Sequence, residues 1–342
     1  MKTSSNIRVG ISIGDMNGIG PEIILKSLQD QRVMELFTPI IFANSKMMSF
    51  FGNHFKIKLQ FHGITKAEDA VEGKINVVNV WKENVKVNFG KEDKTIGGYA
   101  IKSLKAATEA LIKKDIDTLV TAPINKNSIQ SDEFNFPGHT DFLAQQLKGD
   151  SLMFMVSDHI KVGLLTDHVP VKDVSSKITE DIIHKKISAI YESLKKDFGI
   201  REPKIAVLGI NPHSGDGGVI GSEDDETMKP AIKKLVDSGK FVFGPYAADS
   251  FFGSKNNSNF DAIIAAYHDQ GLIPFKTLSF GKGVNFTAGL NRIRTSPDHG
   301  TALDIAGKGI ADHNSFVQAI YMAISIFNNR RYSSCNSSYC EN

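Results

Sequence analysis

Three histidines each come shortly after an apolar run that has the length of a buried β-strand. They are His168 after residues 162–166, His213 after residues 204–210 and His268 after residues 262–266. Strand ends often carry catalytic groups, because a rigid strand aims the loop that follows it. If the three strands are neighbours in one sheet, or if two copies of the sheet face each other, the imidazoles can converge on one divalent cation. The spacing is unlike a local zinc motif such as HExxH, and a single histidine in such a place is more often a hydrogen-bonded loop residue.

Basic and amide side chains follow the third of these runs. They are Lys276, Lys282, Asn285, Arg292 and Arg294, with glycines at positions 281, 283 and 289. Such a mixture suits a phosphate or carboxylate held close to the backbone. A solvated basic face is the alternative. The glycines and β-type residues between the charges favour the anion pocket.

Two aspartates are candidates for completing the cation site or for orienting one of its histidines. Asp269 is adjacent to His268, and Asp249 follows the segment GPYAA. Carboxylates that accept a hydrogen bond from a metal-ligating imidazole are a regular part of such sites. For Asp249 the alternative is a role as a helix N-cap.

The segments that carry these residues alternate between strand and helix patterns. The strand-like runs in the first part of the chain are residues 7–13, 39–43, 75–80 and 116–122. Residues 98–114 have the amphipathic period of a helix, and a later helix is predicted to begin at Thr301, after Asp298 and His299. This alternation predicts right-handed βαβ units and an α/β fold with largely parallel sheets.

Length and composition are those of a globular protein with two domains. The chain has 342 residues, 41% hydrophobic and 23% charged, and single cores rarely grow past roughly 250 to 300 residues. A net charge of +2 gives no broad basic surface, so nucleic acid is not an expected partner. The sequence has no apolar stretch long enough to span a membrane, and MKTSSNIRVG lacks the apolar core of a signal peptide. We therefore predict a cytoplasmic protein.

Both cysteines, Cys335 and Cys340, lie in the polar C-terminal segment RRYSSCNSSYCEN. They form neither a CxxC pair nor a disulfide framework, which gives weak support for a reducing compartment. We predict that residues 331–342 form a disordered, non-catalytic tail. A reactive-thiol role is the alternative.

Several motifs, taken in order, resemble those of one known family. They are GDMNGIGPE, TAPINK, PGHTDFLA, DHVPVKDV, NPHSGDGG, GPYAADSFF, YHDQGL and GKGVNFTAGLNRIRTSPDHGTALDIAG. Over about residues 7–325 the chain resembles the 4-hydroxythreonine-4-phosphate dehydrogenase family of vitamin B6 biosynthesis. The resemblance implies a homodimer of two-domain α/β/α subunits, similar to isocitrate and isopropylmalate dehydrogenases, with the active site in the interdomain cleft near the dimer interface and drawing on both subunits. On this basis we predict one domain from residues 1–135 and 296–330, and a second from residues 136–295.

The functional residues of that family match this sequence position by position. The divalent-metal ligands correspond to His168, His213 and His268, and a carboxylate near the metal corresponds to Asp249. The substrate contacts correspond to His139, Thr140, Lys276, Asn285 and Arg294. Met16 and Asn17 stand where many members have Pro and Ala, and GKG often reads GRG, but both motifs keep their glycines.

The activity that the resemblance implies is NAD(P)+-dependent oxidation of 4-phosphohydroxy-L-threonine to 2-amino-3-oxo-4-(phosphohydroxy)butanoate. This acid loses CO2 to give 3-amino-2-oxopropyl phosphate, on the route to pyridoxine 5′-phosphate. One divalent ion per active site, zinc, magnesium or cobalt, is expected to assist. The alternatives are a dehydrogenase of 4-phospho-D-threonate or 4-phospho-D-erythronate and, more remotely, a metal-dependent phosphohydrolase. Because no GxGxxG motif follows a strand, no residue is predicted to bind the nicotinamide cofactor.

Overall fold

The computed structural model describes residues 6–30, 32–131, 134–136 and 138–339, without the side chains of residues 150 and 334–339. The chain alternates strands with helices, and the predicted α/β fold is confirmed. Within the described residues, no helix is both long enough and apolar enough to cross a membrane. The backbone divides into two compact units, residues 1–149 with 290–328 and residues 150–289 with 329–342.

The strands are short and mostly buried, as expected for sheets that are covered on both faces. In chain order they are β1 Ile7–Ser12, β2 Phe37–Ala43, β3 Phe61–Ile64, β4 Ile75–Asn79, β5 Thr118–Thr121, β6 Gly149–Val156, β7 Lys161–Leu164, β8 Lys204–Leu208, β9 Phe241–Tyr246, β10 Ala262–Ala265, β11 Val284–Leu290 and β12 Ile293–Pro297.

The helices that connect the strands often begin at polar side chains that accept hydrogen bonds from the first free amides. Asp93 is an example, since its Oδ1 accepts from the amide of Thr95 at 2.7 Å. The helices are α1 Gly20–Ser27, α2 Val33–Leu36, α3 Ser45–His54, α4 Lys94–Lys113, α5 Lys126–Ile129, α6 His139–Gln146, α7 Val174–Lys177, α8 Glu180–Lys196, α9 Lys229–Asp237, α10 Ala248–Gly253, α11 His268–Ser279 and α12 Asn314–Tyr339. A π-helical turn covers Asp224–Met228.

In the first unit the strand order is β3-β4-β2-β1-β5-β12. β1 pairs in parallel with β2 and β5, and β12 pairs in parallel with β5. The apolar face of α4 packs on the sheet, where Leu104 and Leu111 join Leu119 and Phe134 in one buried cluster. Because the strands are parallel, the residues that follow β1, β5 and β12 lie along one edge of this sheet.

In the second unit the strand order is β11-β6-β7-β10-β8-β9. β10 pairs in parallel with β7 and β8, whereas β6 and β7 are antiparallel. The core includes Leu164, Leu208, Phe251 and Phe275. The carboxyl ends of β7, β10 and β8 therefore share the edge from which the three candidate histidines follow.

The boundary between the units differs from the predicted one. It falls at residues 149/150 and 289/290, whereas the sequence analysis placed it at 135/136 and 295/296. α6 belongs to the first unit because its Phe142 and Leu143 are buried in that unit's core. His139 and Thr140, at the start of α6, therefore lie in the first unit rather than the second.

The chain after β12 also differs from prediction. The helix predicted to begin at Thr301 begins at Asn314. Gly307 and Gly309 have φ values of +79° and +75°, a left-handed conformation that does not continue a helix.

At the C-terminus, α12 continues to Tyr339, so residues 331–339 are helical where a disordered tail was predicted. Just before this part of the helix, Asn329 and Arg330 donate hydrogen bonds to Asp197. Cys340 lies outside the described residues, as does the side chain of Cys335.

Candidate active site

His268 stands at the junction between a buried strand and a helix. β10 is fully buried, and His268 is the first residue of α11. Its Nδ1 lies 2.7 Å from Oδ1 of Asp269. Because a carboxylate oxygen accepts hydrogen bonds, Nδ1 is the donor in this contact, and Nε2 is the ring nitrogen left available to a ligand. This arrangement is the one that metal-ligating histidines usually show.

His168 lies beside His268. The two ring centres are 5.8 Å apart and the ring planes are inclined by 37°. The register of the sheet explains this proximity, since Leu164 of β7 is directly opposite Ala265 of β10. Two imidazoles that share an ion at about 2.0–2.1 Å have ring centres roughly 5 Å apart. The pair is therefore close to the separation that a shared cation requires.

His213 lies in a loop with an unusual backbone. Its φ is +51°, and Ser214 and Asp216 have φ values of +53° and +45°. Left-handed backbone is rare in residues other than glycine and is often found at functional sites. The carboxylate of Asp224 holds the start of this loop, because its two oxygens accept hydrogen bonds from the amides of Ile210 at 2.8 Å and Asn211 at 2.9 Å.

The structure places two of the three candidate histidines together. Within the described part of the chain, no group of three His, Cys, Asp or Glu side chains lies close enough to hold a metal ion. The convergence of His213 on His168 and His268 therefore stays a prediction. Asp249 is the second residue of α10, after the N-cap Ala247, so it is not the N-cap that was considered as an alternative.

A cavity of about 470 Å³ lies in the second unit between α10 and α11. Asp249, Asp269 and Tyr267 supply polar groups to its wall, while Phe252 and Ile273 are part of its apolar lining. A largely apolar cavity with a few polar groups is the usual form of a small-molecule site.

Lys276 and Asn285 belong to the same unit. Lys276 is exposed in the third turn of α11, and Asn285 is half-buried in β11. Oδ1 of Asn285 is inaccessible to solvent and has no hydrogen-bond partner among the described residues. A buried acceptor without a partner is costly, so it suits a ligand that brings an N–H or O–H group.

Arg294 and His139 form the polar centre of the first unit. Arg294 is only 2% exposed, and its Nε and Nη2 donate to Oγ1 of Thr121 at 3.1 and 2.6 Å. Burial lowers the pKa of Arg294 to about 9. Burial and, second, the positive charge of Arg294 lower the pKa of His139 well below its usual value. At neutral pH the centre thus combines one cation with one neutral imidazole.

His139 presents an incompletely satisfied group at this centre. The residue as a whole is half-buried, but its Nε2 is inaccessible to solvent and lacks a hydrogen-bond partner among the described residues. Thr140 is the next residue of α6. A buried guanidinium beside an unsatisfied imidazole nitrogen can bind a phosphate or carboxylate oxygen.

The sequence analysis did not single out Thr121 or Asp224. Thr121 ends β5 within the segment TLVTAPINK, and Asp224 lies in a run of acidic residues. The run SEDDE has the composition of a solvated helix start, yet Asp224 is 0% exposed. The available signal for Thr121 was a hydroxyl at the end of a strand that is also the first residue of the TAPINK motif.

Comparison with known proteins agrees with these features. The protein-family model described as "Pyridoxal phosphate biosynthetic protein PdxA" matches residues 35–323. A Bacteroides thetaiotaomicron protein named 4-hydroxythreonine-4-phosphate dehydrogenase is 46% identical over 96% of this chain and 90% of its own length. A Cupriavidus necator protein named D-threonate 4-phosphate dehydrogenase is 37% identical over 91% of this chain and 95% of its own.

Solved structures give the same result. The crystal structure of 4-hydroxythreonine-4-phosphate dehydrogenase from Klebsiella pneumoniae matches with a TM-score of 0.81 and 30% sequence identity, over 96% of this chain and 99% of that one. The family model spans most of the sequence and the relatives span nearly all of it. Both indicate the same family. This protein belongs to the PdxA family and is a dehydrogenase.

Proposed function

We propose that this protein oxidises the C3 hydroxyl of 4-phosphohydroxy-L-threonine with NAD(P)+. Hydride passes from C3 to the nicotinamide and the hydroxyl loses its proton, which gives 2-amino-3-oxo-4-(phosphohydroxy)butanoate. The C1–C2 bond of this β-keto acid then breaks, CO2 leaves, and the electron pair passes to C2. Protonation of C2 yields 3-amino-2-oxopropyl phosphate for the synthesis of pyridoxine 5′-phosphate. We propose that the protein works as a homodimer in the cytoplasm.

The observation that carries the proposal is the buried pair of Arg294 and His139. The guanidinium of Arg294 is only 2% exposed, and it lies beside His139, whose buried Nε2 has no hydrogen-bond partner among the described residues. Its planar donors match phosphate or carboxylate oxygens better than an ammonium does. His139, which stays neutral at physiological pH, can donate to the same anion without repelling Arg294.

The remaining substrate contacts are proposed from residue chemistry. Lys276 and Thr140 supply a second cation and a hydroxyl for the phosphate and carboxylate groups. Asn285 offers the buried Oδ1 to the ammonium or hydroxyl of the substrate. Together these contacts would fix the substrate so that C3 faces the nicotinamide, which removes much of the entropic cost of the reaction.

The second unit partly fits the divalent ion that the resemblance implies. His168, His213 and His268 would hold it, with Asp249 as the nearby carboxylate. Asp269 accepts from Nδ1 of His268, so Nε2 is the ring nitrogen that would bind the ion. A bound ion would supply Lewis acidity to the reacting hydroxyl and to the oxygen that becomes negative when CO2 leaves.

The decisive experiment follows nicotinamide reduction by absorbance with 4-phosphohydroxy-L-threonine as substrate. We expect NAD+ or NADP+ to be reduced, and we expect a chelator to stop turnover until a divalent ion is restored. Release of phosphate without cofactor reduction would instead indicate a phosphohydrolase. The variant His213→Ala should abolish the reduction. His159→Ala is its matched control, because His159 is exposed and lies outside the proposed site.

A second substrate has specific support. The relative from Cupriavidus necator is named D-threonate 4-phosphate dehydrogenase, so 4-phospho-D-threonate is assayed in parallel. This compound carries a hydroxyl where the amino acid carries an ammonium group. A kcat/KM that is higher for 4-phospho-D-threonate than for 4-phosphohydroxy-L-threonine would reassign the substrate but keep the dehydrogenase chemistry.

A further inference from the structure

We propose that Thr121 is a positioning residue that sets the orientation of the anion-binding guanidinium of Arg294. This inference rests on the proposed role of Arg294 in substrate binding. It assigns a function to the TAPINK segment, whose first residue is Thr121.

The register of the sheet brings the two side chains together. β5 and β12 are parallel neighbours, and Arg294 is directly opposite Leu119. Thr121 is two residues further along β5, so its side chain is on the same face of the sheet as that of Leu119. This diagonal position is within the reach of a long side chain from the neighbouring strand.

The contact fixes the guanidinium plane. One hydroxyl oxygen, in a residue that is 0% exposed, accepts from both Nε at 3.1 Å and Nη2 at 2.6 Å. A single contact would leave the planar group free to rotate about it, whereas two donors on one edge determine the direction of the plane. Threonine is suited to this task because branching at Cβ restricts χ1 and therefore places the hydroxyl.

The acceptor at this position is neutral, and this matters for anion binding. A carboxylate would orient the guanidinium equally well but would cancel its charge, leaving less attraction for a phosphate. The Thr121 hydroxyl orients the guanidinium of Arg294 without itself bringing a negative charge to it.

The test compares the same substitution at two positions of one strand. Thr121→Val removes the hydroxyl but keeps the shape of the side chain. Thr118→Val is the matched control, because Thr118 is also 0% exposed in β5 and its Oγ1 has no hydrogen-bond partner among the described residues. Thr121→Ser restores the hydroxyl. The probe is inorganic phosphate, titrated into the dimeric full-length protein by calorimetry.

We expect Thr121→Val to raise the Kd for phosphate about 10- to 100-fold, the effect of losing a hydrogen bond to a charged group. Thr118→Val should stay within about twofold, and Thr121→Ser within about threefold, of the unaltered protein. In turnover, Thr121→Val should raise KM for the phosphorylated substrate with kcat little changed, because it removes binding common to ground and transition states.

Two results would overturn the proposal: equal weakening by Thr121→Val and Thr118→Val, or failure of Thr121→Ser to restore binding. If Thr121→Val does not fold, the pair Thr121→Ala and Thr121→Ser decides in the same way. Phosphate titration needs no turnover, so a protein that fails to reduce NAD(P)+ would refute the proposed function while the role of Thr121 is still measured.

Discussion

Arg294 is a buried cation, and the loss of its proton should set the upper pH limit of substrate binding. Burial lowers its pKa to about 9, so the guanidinium is charged at neutral pH and loses its charge as pH rises through that value. His139 does not titrate with it, because its pKa lies well below its usual value. We expect kcat/KM for the phosphorylated substrate, which reports ionisations of the free enzyme, to be level near neutral pH and to fall above pH 9.

Lys276 is the other proposed cation, so the control is a pH profile of Lys276→Met. The alkaline fall should persist in that variant if it belongs to Arg294. A profile that stays level to about pH 10 in the unaltered protein would contradict the assignment. The effect on stability has the opposite sign. Above pH 9 the folded protein binds fewer protons at Arg294 than the unfolded chain does, so the free energy of unfolding increases as pH rises further.

For individual residues, the sequence predicted some of the side-chain contacts and missed others for a clear reason. His168 and His268 were predicted as partners because strand ends share an edge, and the rings do lie 5.8 Å apart. The contact between Thr121 and Arg294 spans 173 positions of the chain. It depends on which strand becomes the neighbour of β5 and in which register, and no local pattern encodes that.

At the level of secondary structure, residues 329 and 330 of α12 are attached to the second unit through one buried aspartate. Asp197 is 2% exposed. Its Oδ1 accepts from Nε of Arg330 at 2.6 Å and its Oδ2 from the hydroxyl of Ser193 at 2.7 Å, while its backbone oxygen accepts from Asn329. Residues 329 and 330 thus belong to the second unit, although α12 begins in the first.

We expect Asp197→Ala to lower the free energy of unfolding by about 3–5 kcal/mol, because it removes a buried carboxylate that accepts hydrogen bonds from Arg330 and Ser193. Asp237→Ala is the matched control, since Asp237 forms an exposed ion pair with Lys233 at 3.9 Å and should change stability by no more than about 0.5 kcal/mol. Urea-induced unfolding measures both. Similar losses in the two variants would show that the buried contact does not hold the helix.

The sequence predicted whether a long segment forms a strand or a helix, but it predicted the first and last residues of these elements less well. Apolar runs such as residues 262–266 predicted buried strands, and β10 covers most of that run. After Asp298 and His299 a helix was predicted to begin at Thr301. Glycines at 307 and 309 take up left-handed backbone there, and α12 begins only at Asn314. The C-terminal polar segment looked disordered because the Asp197 contact lies 133 positions away from Arg330.

For the whole molecule, the resemblance implies a homodimer whose active sites draw on both subunits. The surface of α11 offers apolar groups that such an interface would cover. Ile273 is 63% exposed and Phe280, just after the helix, is 80% exposed. Large exposed apolar side chains are a feature of interaction surfaces. We propose that the dimer interface covers this face of the second unit.

Mixing two inactive variants tests whether the sites are shared. His213→Ala removes a proposed metal ligand in the second unit, and Arg294→Ala removes the anion-binding cation in the first; each alone should abolish turnover. If the metal ligands and the anion-binding residues of one site come from different subunits, a hybrid dimer contains one intact site. Random assortment makes half of the dimers hybrids, so co-expression should restore about a quarter of the normal kcat.

The control for this experiment pairs His213→Ala with His268→Ala. Both changes affect the same set of proposed metal ligands, so every site in their hybrid lacks one ligand and no recovery is expected. Recovery with Arg294→Ala but not with His268→Ala would establish that catalysis needs both subunits. If neither pair recovers although hybrids are isolated through two different affinity tags, His213, His268 and Arg294 of each active site come from one subunit.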